Sequence, residues 1–220
     1  MIDHKLIKRA LRTQLATLEV ATTGSTTLGA TGATFTRLAG SFITDGFQPG
    51  MEVTGSMEKA ANNAAAAIVS VAALSMKVNR TLVTEAAAAG KTLTVGLPSY
   101  RAWENEELDP TLGVPYVEEQ YLPGPTFLRT ATKDQGTVQA EPMYRVEVHV
   151  PEGAGSEAAD DYTTGIEQLF LHGTSMALEN GDTLRVRADT GPYRGQLLQR
   201  KAGWATVPVN IPLRLYTVNP

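Results

Sequence analysis

The residue types that most often carry catalysis or bind metals are scarce in this chain, which contains three histidines and no cysteine. His4, His149 and His172 lie far apart, and none falls in a HExxH or other metal-ligand spacing. His149 lies on the polar side of an alternating segment, which favours a solvated histidine over a catalytic base. Without cysteine there is no disulfide framework, no thiolate metal cage and no cysteine nucleophile.

Two short motifs could indicate an enzyme. Ser175 lies in the sequence His-Gly-Thr-Ser-Met, which lacks the second glycine of a nucleophile elbow. Residues 153–158 have the G-x-G-x-x-A form of a dinucleotide fingerprint, between a strand and a helix. However, the acidic residues around this motif would repel a pyrophosphate, so a turn with Gly155 or Ser156 as the N-cap is the better interpretation. The repelling acids are Glu152, Glu157, Asp160 and Asp161.

Acidic residues cluster at 104–109 and at Glu118 and Glu119, where a cation site could be imagined. Adjacent acids on loops are usually solvated, and no fixed spacing brings these together. No Walker-type phosphate loop is present. The sequence therefore predicts no catalytic residue, no cofactor, no metal site and no enzymatic activity.

Composition narrows the class of protein further. The chain has 220 residues, 42% of them apolar, with a formal net charge of −4. An acidic balance argues against a general nucleic-acid binder, which needs basic patches to displace counterions from phosphate. No apolar run reaches the length of a membrane span, and the N-terminus lacks a signal-peptide core. We therefore expect a soluble protein with no membrane contact, made in the cytoplasm.

Charge is distributed unevenly along the chain. Residues 20–97 contain four acids and five bases, whereas the remaining 142 residues contain 19 acids and 14 bases. Residues 20–97 are rich in Ala, Thr, Gly and Ser, and their pattern predicts short strands between turns. We expect residues 20–97 to be an inserted β-rich domain within a core formed by residues 1–19 and 98–220. The predicted strands of the insert are 35–36, 41–44, 51–54, 68–71, 76–78 and 92–95.

Outside the insert, the hydrophobic periodicity predicts two helices, at 2–18 and at about 156–172. Alternating residues predict strands at 144–150, 184–188 and 207–215, and Asn180-Gly181 is a hairpin signal. The expected fold class is α+β: an antiparallel sheet with two helices packed on it, plus the inserted small all-β domain.

The last predicted strand carries Pro208 and Pro212 at positions of the same parity. Both prolines remove N–H donors from one side of the strand. We therefore expect this strand to form an edge of the sheet, or else to pair on that side through an interrupted ladder.

The order of short motifs behind the first helix resembles the bacteriophage tail terminator family, also called tail completion or head–tail joining proteins. The motifs are Trp103-Glu104-Asn105, the acidic run 106–110, the segment 115–123, the strand 143–151 with its 153–155 turn, the helix ending at Leu169-Phe170, Gly203-Trp204 and the strand 207–213. The resemblance covers residues 1–18 and 98–220. Residues 35–51 are similar to a segment of β-rich modules in other phage virion proteins. A simple terminator lacks such an insert, whose role stays open.

The resemblance implies a structural virion protein. Family members form a ring, usually a hexamer, at the head-proximal end of the tail tube. The ring ends tube polymerisation and joins the tail to the head connector. The implied partners are further copies of this chain, the tail tube protein and the connector or another neck protein, with genomic DNA passing through the channel without specific binding.

The two helices offer opposite charges for a head-to-tail ring, which needs two different complementary surfaces. We therefore predict a subunit interface between a basic stripe and an acidic face. The basic stripe is Lys5, Lys8, Arg9 and Arg12, and the acidic face is Glu157, Asp160, Asp161 and Glu167.

Other functions remain open. The chain could be a head-completion protein or a tail tube subunit, and a tube subunit would polymerise into long tubes. A third hypothesis is that the chain is a small enzyme, or a binding module that uses the insert to hold a ligand. Residues 20–97 contain only Phe35, Phe42 and Phe47 as aromatic residues, however, which is a poor platform for a sugar.

Overall fold

A computed structural model describes residues 2–103, 108–111, 113–131, 136–153, 157–196 and 203–219. The helices of this part of the chain are α1 (His4–Leu15), a 3₁₀ helix (Ala60–Asn63) and α2 (Glu157–Leu169). The first seven strands are β1 (Glu19–Thr22), β2 (Thr26–Thr31), β3 (Thr34–Arg37), β4 (Glu52–Ser56), β5 (Ala66–Val71), β6 (Ser75–Val78) and β7 (Glu85–Gly96). They are followed by β8 (Tyr100–Trp103), β9 (Tyr116–Leu122), β10 (Thr126–Ala131), β11 (Gly136–Ala140), β12 (Met143–Pro151), β13 (Ser175–Ala177), β14 (Thr183–Val186), β15 (Tyr193–Arg194) and β16 (Trp204–Asn219).

Strands β2 to β7 form a closed six-stranded barrel, with β1 paired beside β7. The long strand β7 closes it, because its first half pairs with β2 and its second half pairs with β4. Closure leaves the barrel strands without a long open edge. The interior is filled by apolar side chains that are at most 1% exposed, among them Leu28, Phe35, Met51, Met76 and Leu93.

A buried ion pair lies within this barrel. Lys91 Nζ lies 2.6 Å from Glu85 Oε1, and both side chains are nearly inaccessible to solvent. The Glu85 carboxylate also accepts hydrogen bonds from Asn62 Nδ2 and from the backbone N–H groups of Glu58 and Lys59. Burial disfavours the Glu85 charge, but these donors outweigh burial and lower its pKa to about 2.

The second sheet is a half-barrel with the strand order β10-β11-β16-β12-β9-β8. Strands β13, β14 and β15 are attached to it through β14 and β15, which pair with β16. One face of β12 is formed by Tyr144, Val146, Val148 and Val150, which are fully buried. Helix α2 packs on β12 and β16.

Both helices bury a narrow apolar stripe. Asp3 caps α1, where its carboxylate accepts from the N–H of Lys5 at 2.9 Å and of Leu6 at 3.4 Å. Ile7, Leu11 and Leu15 recur at helical spacing and are fully buried. In α2 the buried residues are Ala158, Ala159, Tyr162, Thr163 and Ile166.

The expected fold class is wrong. The protein is mostly β-structure, with a closed six-stranded barrel and a half-barrel, and is not an α+β sheet with two packed helices. Two strands of the first sheet, β1 and β2, were missed because Thr, Gly and Ala obscure their alternation. The alanines at 86–89, which could have formed a helical turn, lie in β7. The predicted strand at 41–44 is a turn.

The last strand is not an edge. β16 pairs along one side with β12, at residues 204–212, and then with β11, at residues 215–219. On its other side it pairs with β14 and β15. The carbonyls of Pro208 and Pro212 accept from Gly195 N–H and Arg187 N–H, so the prolines face that other side. Only short strands pair there, β15 with two residues and β14 with four. The prolines therefore interrupt one ladder without ending the sheet, as the second alternative predicted.

Candidate functional site

Helix α1 presents its basic stripe at the surface, with Lys5, Arg9 and Arg12 exposed and Lys8 half-buried. Arg9 Nη1 contacts both carboxylate oxygens of Glu179, at 2.6 and 2.7 Å. The Arg12 guanidinium lies over the ring of Trp103. Three of the four residues of the stripe are thus exposed, and two of these, Arg9 and Arg12, contact residues of the same chain.

On the acidic face of α2, three of the four residues contact side chains of the same chain. Arg194 on β15 contacts Asp160 at 3.3 Å and Glu167 at 2.9 Å. Asp161 accepts from Gln48 Nε2 at 2.6 Å. Burial raises the pKa of Asp161, and the neighbouring charges of Asp160 and Glu157 add to that shift. Pairing between this face and the basic stripe of a neighbouring subunit stays a prediction.

His149 is buried rather than solvated, and its side chain is only 3% exposed. Its ring stacks on Tyr116 with 4.1 Å between centroids and 2° between planes. Its Nδ1 lies 2.8 Å from Thr206 Oγ1, and Trp204 packs edge-on against Tyr116. Burial raises the pKa of Tyr116 to about 12, and the charges of Glu118 and Glu147 contribute. The polar side of β12 is therefore covered by residues of β9 and β16.

The same polar side brings together three groups that can bind a metal. The β9–β12 register places Glu118 opposite Glu147 and Tyr116 opposite His149. His149 Nε2 lies 3.9 Å from Glu118 Oε2 and 4.0 Å from Glu147 Oε2. One nitrogen and two carboxylate oxygens are a ligand set that suits divalent transition metals.

Sequence reasoning grouped Glu118 with its neighbour Glu119, but the two point to opposite faces of β9 because strand side chains alternate. Glu119 is buried and accepts a hydrogen bond from Tyr144 Oη. Burial raises the pKa of Glu119. The partners of Glu118 come from β12, so only the alternation of Arg145, Glu147 and His149 could have indicated this polar face.

Within the described ranges, the remaining sequence candidates form no group of three or more that could hold a metal ion. Glu104, Glu106 and Glu107 lie outside the described residues, as do Gly155 and Ser156 of the predicted helix cap. Asp109 and Ser175 are exposed, and so is His172. His4 Nδ1 lies 3.0 Å from Tyr121 Oη. Of the helices in the described ranges, none combines the length and the apolar character that a membrane crossing requires.

The described residues form a mostly β-structure whose two helices carry charged faces. Comparison with known families gives the class of protein: residues 80–213 match the family model described as phage tail terminator protein. The match covers more than half of the chain, which therefore belongs to the phage tail terminator family. It begins ahead of β7, so it includes the strand that closes the barrel.

Comparison with individual proteins gives no further information about function. No curated protein matches the chain. One solved structure without a functional name is 27% identical to it, covers 57% of this chain and 82% of its own, and superposes with a TM-score of 0.42.

Proposed function

We propose that the chain assembles into a closed ring, a hexamer, at the head-proximal end of a phage tail tube. The ring ends tube polymerisation, joins the tail to the head connector or another neck protein, and lets DNA pass without specific binding. It has no catalytic activity, and it is a component of the virion. The family match over residues 80–213 is the observation that carries this proposal.

The surface supports self-association in two places. Strand β10 ends the half-barrel sheet, and its Phe127 and Leu128 are 43% and 65% exposed. Tyr216 lies two strands away in the same cross-strand row as Phe127 and is 47% exposed. Exposed apolar side chains on a sheet edge favour contact with another protein chain.

The basic stripe supplies the second surface. Lys5 and Arg9 project from α1, whereas the acidic face lies on α2. A head-to-tail ring brings two different surfaces of neighbouring subunits together, so opposite charges favour that arrangement. The exposed Glu157 and Asp160 are the acidic residues best placed to meet a neighbouring stripe.

Negative-stain imaging and mass photometry of the purified protein test this proposal. We expect closed rings with the mass of six subunits, and fewer rings for K5E/R9E. The matched control is K59E/K77E, which reverses two exposed barrel lysines and should leave the rings unchanged. Long tubes instead of rings would identify a tube subunit and contradict the proposal. Unaltered rings in K5E/R9E would remove α1 from the interface.

A further inference from the structure

We propose that Glu118, Glu147 and His149 bind one divalent transition-metal ion, with Zn²⁺ as the best fit. The three ligand atoms lie within 4.8 Å of one another. The side chains of Glu147 and His149 are 8% and 3% exposed, whereas that of Glu118 is 41% exposed and leaves an entry path from solvent.

The spacing of the ligand atoms suits a single small ion. Given distances of 3.9, 4.0 and at most 4.8 Å, an ion can lie about 2.5 Å from all three atoms, against roughly 2.0–2.2 Å for zinc bound to nitrogen and carboxylate oxygen. A shift of a few tenths of an ångström in the glutamate side chains closes that gap. Water would complete the tetrahedral coordination through the exposed side of Glu118.

The two buried ligands are oriented by neighbours outside the triad. His149 Nδ1 is within hydrogen-bond distance of Thr206 Oγ1. When Nδ1–H donates to that hydroxyl, the lone pair of Nε2 faces the two carboxylates, as in metal-binding histidines. Arg145 Nε lies 2.9 Å from Glu147 Oε1, while Oε2 of the same carboxylate faces His149. Stacking on Tyr116 fixes the plane of the imidazole ring.

Electrostatics favour a cation at this position. Glu118 and Glu147 are directly opposite on an antiparallel pair, where like charges destabilise a sheet. Arg145 supplies one positive charge beside Glu147, and a divalent ion would add a second source of positive charge between the two carboxylates. Imidazole favours zinc and its neighbours over magnesium, which prefers oxygen ligands alone. The ion would link β9 to β12 as a structural element of the half-barrel.

Tag-free protein, dialysed against a chelator, tests the site by calorimetric titration with Zn²⁺ and by the visible absorption of Co²⁺. We expect one ion per chain, a tetrahedral Co²⁺ spectrum that Zn²⁺ abolishes, and a higher melting temperature with Zn²⁺. E118Q and H149Q should each weaken Zn²⁺ binding at least tenfold. H172Q, at an exposed histidine elsewhere, is the matched control and should bind as the unmodified chain does.

The half-exposed E118Q keeps the test valid if H149Q fails to fold. Absence of saturable Zn²⁺ binding would overturn the proposal, as would equal weakening by H172Q and E118Q. Binding of Mg²⁺ with the same affinity as Zn²⁺ would also overturn it, because it would mean that the imidazole is not a ligand. Ring formation is a separate readout, so failure of the metal site leaves the proposed function untouched.

Discussion

Glu85 shows how a single buried carboxylate can be kept ionised inside a β-barrel. Its charge is matched by Lys91, and Asn62 and two backbone N–H groups supply further donors. A buried charge with a full set of partners is tolerated, whereas the removal of one partner leaves an uncompensated charge. The pair therefore ties the stability of the barrel to pH.

Acid should weaken the fold through Glu85. Its pKa is lowered from 4.5 to about 2 on folding, so its contribution is fully present above pH 4.5 and is lost as the pH falls towards 2. A shift of this size corresponds to about 3 kcal/mol. Urea unfolding of the unmodified chain and of E85Q at pH 6, 4 and 2.5 should show the difference between them shrink as the pH falls. E19Q, at an exposed strand residue, is the control and should change the free energy of unfolding little at pH 6.

At the scale of elements, Gly124 marks a close approach between two backbone segments of the half-barrel. It lies in the turn between β9 and β10, and a Cβ placed there would come within 1.6 Å of the Glu141 carbonyl oxygen. In the same place the Glu141 N–H donates to the Pro125 carbonyl at 3.1 Å. The turn between β9 and β10 therefore packs against the β11–β12 connection, and the hydrogen bond extends the β10–β11 ladder by one residue pair.

Substitution of Gly124 by alanine should force this backbone apart. We expect G124A to lower the free energy of unfolding by about 1–3 kcal/mol, as overpacking does elsewhere. Urea denaturation measures the change, and T126A, at an exposed position two residues further on, is the control. Equal stability of G124A and the unmodified chain would show that the turn can move away from Glu141.

The sequence predicted those elements whose pattern is strong and local. Leu11 and Leu15 belong to a clear helical stripe, and the alternation of 144–150 and 207–215 indicated β12 and β16. The Asn180-Gly181 turn joins β13 to β14 as expected. Barrel closure could not be predicted, because it depends on one long strand, β7, pairing with both β2 and β4.

The cluster of Glu118, Glu147 and His149 could not be predicted either, because it depends on the pairing of strands that are distant in the sequence. His149 was expected in solvent, since its own strand places it opposite the apolar residues. Its burial comes from Tyr116 on β9 and Thr206 on β16, which lie more than 30 and 50 residues away in sequence. Local periodicity says which residues share a face but not whether another part of the chain covers that face.

At the scale of the whole molecule, Glu52 on β4 connects the barrel to the rest of the protein. Its N–H donates to Tyr162 Oη on α2 at 3.1 Å, and its Oε1 accepts from the N–H of Ser99, ahead of β8, at 2.8 Å. Gln48 and Asp161 add a hydrogen bond across the same junction. We propose that residues 20–97 form a domain inserted into a core of residues 1–19 and 98–220, and that this junction fixes its orientation.

Loss of the Tyr162 hydroxyl should weaken the junction. In Y162F the buried Glu52 N–H loses its acceptor while the ring still fills its space, so we expect a loss of about 1–3 kcal/mol in unfolding free energy. Thermal and urea denaturation measure this loss. Y193F, which removes an exposed hydroxyl, should leave stability unchanged, and an equal effect in both variants would contradict the role of the junction.

The pairing of β16 with four other strands also has a consequence for synthesis on the ribosome. The barrel strands lie within residues 26–96 and can close while translation continues. The half-barrel must wait, because β11, β12, β14 and β15 all pair with a strand that emerges after them. Helix α1 is made before α2 and β13, which it contacts, so its basic stripe takes its final position late. A nascent chain would therefore be unable to join the proposed ring before its own synthesis has passed β16.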